Sequence, residues 1–181
     1  MVILGDKTWM LSIGIDPGLN KTGLVILKQI KKGVEVVYSK KVSPPPKVRG
    51  ALRLLFWWQF LTQELFSNLV LSSSHCLVVI EDYTYGRTIR RGIPYQIGEL
   101  GGLIRVLSTS YQTILVNPTT LKKYVTGWGL ADKELMKEEI IKRWGFEDFS
   151  DDVLDAYGLA RLGLAWLNKD FFSQGIHLLI P

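Results

Sequence analysis

Three apolar runs follow one another near the start of the chain: "TWMLSIGID" (8–16), "TGLVILKQI" (22–30) and "GVEVVYSKKV" (33–42). The first stops at "PG" and the next two are joined by "KKG". Each run is bounded by turn formers, and the connections are too short to hold a helix. Residues 8–42 therefore read as a three-stranded antiparallel meander. Such a sheet has two faces to cover, and the rest of the chain must supply the cover. "SPPPK" (43–47) ends the unit as a stiff, extended connection.

Val48 to about Leu71 contains no proline, no glycine after Gly50, and leucines and aromatics at helical spacing. This predicts a long helix whose adjacent Trp57 and Trp58 belong mainly to the core. "CLVVIE" (76–81) reads as a buried strand, "IPYQIGELGGLIRVLS" (93–108) as a helix and "QTILVN" (112–117) as a strand. "DKELMKEEIIKRWG" (132–145) is an amphipathic helix closed by Gly145, and 150–168 is a last helix. The order βββαβαβαα predicts an α/β fold, a mixed five-stranded sheet with helices on both faces. A chain of 181 residues is enough for one such domain, 1–181, with residues 1–9 as an N-terminal extension.

Lysine and arginine outnumber aspartate and glutamate 22 to 17, a basic excess that suits a polyanionic partner without demanding one. The only cysteine, Cys76, opens an apolar run and has no partner for a disulfide, which fits a reducing cytoplasm. No secretory signal or membrane-length apolar stretch is present.

Carboxylates stand where elements end. Asp16 closes the first strand, Glu81 closes the fourth, and Asp152 and Asp155 lie on the last helix. Ligands of open α/β sheets bind beyond the carboxyl ends of strands. Helix positions three apart share a face, with Cβ atoms roughly 5–6 Å apart. A shared oxygen-donor site for Mg²⁺ or Mn²⁺ would keep such a group ionised. Zinc does not fit one cysteine and two distant histidines. Each acid also has an ordinary explanation: Asp151 and Asp152 as helix N-terminal charges, "DPG" as a turn, Glu81 as an exposed strand end. Asp155 lies beyond the capping positions and is the hardest to explain in that way.

"GIDPGLNKTG" (14–23), "VVIEDY" (78–83) and "DDVLDAYGLA" (151–160) resemble the three acidic motifs of the RuvC family of Holliday junction resolvases, in the ribonuclease H-like superfamily. "VNPTTLKKYVTGWGLADKELMKEEI" (116–140) is similar to the segment that precedes the last acidic pair there. The resemblance runs over roughly residues 10–165, in order, and the short chain and divergent connecting segments look like the bacteriophage branch. It implies a ribonuclease H-like fold and an endonuclease, in a bacterial or phage-infected cytoplasm, that resolves four-way DNA junctions as a homodimer.

By the same resemblance, Asp16, Glu81, Asp152 and Asp155 are the catalytic, metal-binding set. The implied cofactor is two Mg²⁺ ions about 3.5–4 Å apart, with Mn²⁺ as a substitute. Lys122 and Lys133 match lysines that contact DNA, and Lys133 also assists catalysis. The family's junction-opening aromatic falls at Thr84, so Tyr83 or Tyr85 would have to stand in by stacking on a base. Arg87, Arg90 and Arg91, in "YGRTIRRG", form either a phosphate-contacting loop or a solvated one. Gly98, Gly101 and Gly102 open a helix face either to a second copy or to the chain's own sheet.

Other readings remain: a nuclease acting broadly on forks, flaps and loops, or a noncatalytic junction binder. "GIDPGLNKTG" is also similar to the phosphate hairpin of actin-like ATPases, but those duplicate the domain, and the last acidic pair has no part in them.

Overall fold

A computed structural model of the chain describes residues 10–66, 75–82 and 93–169. The strands are β1 (Met10–Asp16), β2 (Thr22–Ile30), β3 (Gly33–Val42), β4 (His75–Glu81) and β5 (Gln112–Val116). They form one mixed sheet in the order β3-β2-β1-β4-β5. The first three run antiparallel, as the short turns require, while β4 and β5 are parallel to β1. Parallel neighbours need long crossovers, which the intervening helices supply.

Those helices are α1 (Ala51–Phe60), α2 (Ile93–Leu107), α3 (Pro118–Thr126), α4 (Lys133–Trp144) and α5 (Asp151–Leu167). Alternation along the strands separates two cores. Leu11, Ile13, Ile15, Leu24, Ile26, Val78 and Ile80 pack with Trp57 of α1 and with Leu100 and Ile104 of α2. Val25, Leu27, Leu77, Val79, Ile114 and Val116 pack under α3, α4 and α5. Buried on both sides, β1 and β4 read as nearly continuous apolar runs for that reason.

Three expectations need correction. The helix expected from Val48 begins at Ala51, after Gly50 takes a positive φ of 55°, and becomes a π-helical turn at Leu61–Phe66. The switch coincides with Thr62, whose hydroxyl donates to the Trp58 and Gln59 carbonyls and competes with the backbone ladder. Trp57 is fully buried, but Trp58, the next residue of α1, is half exposed. Helix α3 is an additional element. Its signals were in the sequence: Asn117 caps it by accepting from Thr119 N at 2.8 Å, Pro118 opens it, and Gly127 ends it at φ 82°.

The α3–α4–α5 layer is tied together by polar and aromatic contacts. Arg143 of α4 donates to the last carbonyls of α3, Tyr124 at 2.8 Å and Val125 at 2.6 Å. Tyr157 of α5 stacks on Phe146 with ring centroids 4.0 Å apart, and its hydroxyl accepts from Arg161 Nε. No helix among the described residues is long and apolar enough to cross a membrane.

Candidate active site

Strand parity sets two of the acids. In β1, Leu11, Ile13 and Ile15 point to the α1–α2 core, so Ser12, Gly14 and Asp16 point to α5. In β4 the same alternation puts Leu77, Val79 and Glu81 on the α5 side. The parallel register pairs Ile15 with Ile80, which places Asp16 beside Glu81 where both strands end. The two carboxyls share a hydrogen bond.

Helix α5 brings the other two. It is buried along nearly its whole length, from Val153 to Leu164, and crosses β1 and β2 at unusually close range. A Cβ on Gly14 would overlap the backbone of Ala156 and Ala160, and one on Gly23 would overlap the Asp152 carbonyl. With no side chain at these two positions, the first turns of α5 settle over the strand ends and carry Asp152 and Asp155 there. Ser150 stands at the N-cap without a side-chain capping bond; its hydroxyl lies 3.4 Å from Asp152 Oδ2.

Burial and crowding dominate the electrostatics. Glu81 is pushed up to about 9, by burial first and then by the charge and hydrogen bond of Asp16 and the charge of Asp155; Lys122 opposes this. Asp155 is pushed up to about 7 by burial and by Asp16, against Lys133. Asp16 is also raised, chiefly by burial, although its bond to Glu81 pulls the other way. The ion pairs among the described residues here fall on the outer acids. Asp152 Oδ2 lies 2.9 Å from Lys21 Nζ and 3.7 Å from Lys41 Nζ, and Asp151 Oδ2 lies 2.8 Å from Lys133 Nζ. Burial pulls Lys133 down, but Asp151, Asp155 and Asp152 outweigh it and raise the ammonium, while Lys133 holds Asp151 below the usual carboxylate range.

The expected set is thus gathered at one end of the sheet, with one difference. Asp152 turns to two lysines rather than inward beside Asp155, and among the described residues no three such ligands close on a preformed cation position. Four acids with no cation between them repel, which explains the spread. Sequence reasoning missed Lys21 and Lys41. Lys41 reaches the site because β3 pairs it with Gly23, directly beneath Asp152. Lys122 sits on α3 and acts on Glu81. Tyr83, Tyr85, Arg87, Arg90 and Arg91 lie outside the described residues, as do residues 1–9.

The donors fit a hard divalent cation. All are carboxylate oxygens, and three have their charged forms disfavoured by burial and mutual repulsion, which a bound cation would reverse. The sign of the linkage gives a test. In cation-free protein, Glu81 and Asp155 hold protons that the unfolded chain has released above about pH 4.5. Their stabilising contribution is complete below that pH and is lost as pH rises through about 7 and then about 9. Melting temperature in EDTA is expected to fall by several degrees between pH 5.5 and 9, and millimolar Mg²⁺ to restore most of it at pH 9. Overlapping EDTA and Mg²⁺ profiles would contradict the assignment.

No family model matches the chain. It is 27% identical over 158 residues to the crossover junction endodeoxyribonuclease RuvC of Carboxydothermus hydrogenoformans, an alignment covering 85% of this chain and 95% of the relative. It is 29% identical over 158 residues to the enzyme of the same name from Caldicellulosiruptor saccharolyticus, covering 83% and 90%. The fold matches that of Thermus thermophilus RuvC in complex with Holliday junction substrate, with a TM-score of 0.67 at 15% identity, covering 94% of this chain and all of that one. Over most of its length the chain is thus similar to RuvC enzymes, at 27–29% identity. Its mixed five-stranded sheet with flanking helices matches that structure and is the fold expected from the acidic motifs. The all-oxygen donor set of the clustered acids suits a divalent cation.

Proposed function

We propose that the chain, acting as one nuclease domain, resolves four-way DNA junctions by paired, cation-dependent hydrolysis of phosphodiester bonds. The observation that carries this reading is the gathering of Asp16, Glu81 and Asp155 at the carboxyl ends of β1 and β4 under the N-terminus of α5, with Asp152 at the edge of the group. Its RuvC relatives are named for crossover junction cleavage, and the T. thermophilus structure holds a Holliday junction.

Asp16, hydrogen-bonded to Glu81 and flanked by Asp155 and Asp152, would with them hold two divalent cations, Mg²⁺ by preference. When bound, the cations supply Lewis-acid activation of a water and neutralise charge on the leaving 3′ oxygen. Cleavage forms a new P–O bond from water and breaks the P–O3′ bond, leaving 5′-phosphate and 3′-hydroxyl ends. Lys133 serves the phosphate as a mobile point charge. Its pair with Asp151 is exposed on both sides and worth at most about 1 kcal/mol, so a phosphate can take the ammonium over. Lys122, beside Glu81, supports a second DNA contact.

The test is cleavage of end-labelled four-way junction, fork and flap DNA by the purified protein with Mg²⁺. Symmetric nicks in the junction, at rates well above those for fork and flap, are expected; equal rates on all three would replace resolvase by a general branched-DNA nuclease.

Two symmetric nicks call for a two-fold homodimer. The exposed side of α2 supports a dimer face: a Cβ at Gly98 or Gly102 would meet nothing within 4 Å, and Val106 nearby is two-thirds exposed. Leu52 and Leu55 of α1 add apolar surface on the same side of the sheet. Filling an exposed helix with Gly98→Ala and Gly102→Ala raises helix propensity by about 1 kcal/mol each. If a second backbone seats there, the double variant is expected to weaken dimerisation by sedimentation analysis while the fold stays stable. An unchanged dimer would move the interface elsewhere.

A further inference from the structure

The loop "GFEDF" (145–149) between α4 and α5 carries two phenylalanines with opposite fates. Phe146 stacks on Tyr157, whereas Phe149 is fully exposed. A lone exposed aromatic is unremarkable in itself, but its surroundings here are not. Phe149 is two residues from Asp151, and the next residue is fixed by Ser150 N donating to Asp148 Oδ1 at 2.7 Å. Lys137 Nζ lies 5.9 Å from the ring centroid. Beyond Asp151 the same rim continues through Lys133 to Asp152, with Lys21 and Lys41 on its far side. The side chains of Lys21 and Lys41 are about half exposed, so their ammonium groups remain reachable from solvent. Lys21, Lys41, Lys133 and Lys137 thus stand along one rim, interleaved with Asp148, Asp151 and Asp152, with one aromatic face at its end.

An aromatic face beside a line of lysines is the chemistry that holds a nucleic-acid strand with unpaired bases. We propose that Phe149 stacks on a base left unpaired at the DNA branch point, and that Lys137, Lys21 and Lys41 bind phosphates of the same strand. A strand laid along this rim passes the acidic cluster between its contacts with Lys21 and Lys41 and its stacked base. The contact therefore helps select which phosphate is presented for cleavage. The inference rests on the junction-cleaving function proposed above and adds to it a residue that the acidic motifs do not include.

The experiment uses the full chain in EDTA, where DNA is bound but not cut, with a four-way junction carrying 5-iodouracil at successive positions around the branch point. Irradiation is expected to cross-link Phe149, read by mass spectrometry, at one or two positions beside the cut. Phe149→Leu should lose the cross-link and weaken junction binding roughly tenfold, Phe149→Trp should restore both, and neither should shift the melting temperature. Lys137→Ala should retain the cross-link and lower the salt slope of binding by about one. Wild-type affinity in Phe149→Leu, or a melting temperature lowered by several degrees with affinity intact, would overturn the proposal. A Phe149-dependent cross-link to single-stranded DNA, in a protein that does not cut junctions, would remove the resolvase reading and leave the stacking contact standing.

Discussion

Asp155→Asn is expected to reduce junction cleavage by about a thousandfold or more while leaving DNA binding intact or tighter. Asp155 lies in the second turn of α5 and has no capping duty. Its carboxyl is pushed up to about 7 by burial and by the neighbouring charge of Asp16. Asparagine keeps the volume and a hydrogen-bonding oxygen but removes the anionic donor, so a cation is held less firmly and in the wrong place. The same change relieves repulsion in the cation-free state. The variant should therefore melt higher than the native protein in EDTA at pH 8, where Asp155 is mostly ionised, and no lower at pH 5. A rate measurement on a labelled junction, paired with melting curves at both pH values, separates these effects. Normal cleavage by Asp155→Asn would sink the assignment of the site.

The acidic residues were legible because they stand at positions defined by short-range rules. Asp16 and Glu81 end apolar runs whose alternation fixes the face on which they emerge, and Asp152 and Asp155 are three apart on a helix. The meander was legible for a similar reason, since turn residues punctuate it. Lys21 and Lys41 were not. The place of Lys41 beside Asp152 depends on the β2–β3 register, which shifts at a bulge between Ile26 and Leu27. A bulge of that kind leaves no clear sequence mark. The outward turn of Trp58 depends on which face of α1 meets the sheet, a tertiary choice that an aromatic-rich helix does not announce. Helix α3 had every local signal, Asn-Pro at its start and glycine at its end, but only nine residues in which to show periodicity.

What the sequence pattern also hid is how closely α5 lies on the sheet, and that closeness predicts the second large effect. Gly23→Ala would drive a methyl group into the Asp152 carbonyl and the Val153 amide, and Gly14→Ala into the backbone of Ala156 and Ala160. Backbone cannot yield as a side-chain tip can, so α5 must lift. Overpacking of this kind costs about 3 kcal/mol or more, lowering the denaturation midpoint of both variants sharply. For Gly23→Ala the lift falls on the first turn of α5, where a displacement of about 1 Å at a reacting group costs roughly a hundredfold in rate. Gly158→Ala is the internal control. Its methyl group would meet only the side chains of Leu121 and Val125, at 3.1 and 3.2 Å, which can shift by a few tenths of an ångström. Its loss of stability should be far smaller and its cleavage rate near normal. If Gly23→Ala folds and cuts as well as Gly158→Ala, the acids of α5 are not positioned by contact with the strand, and another element must hold them.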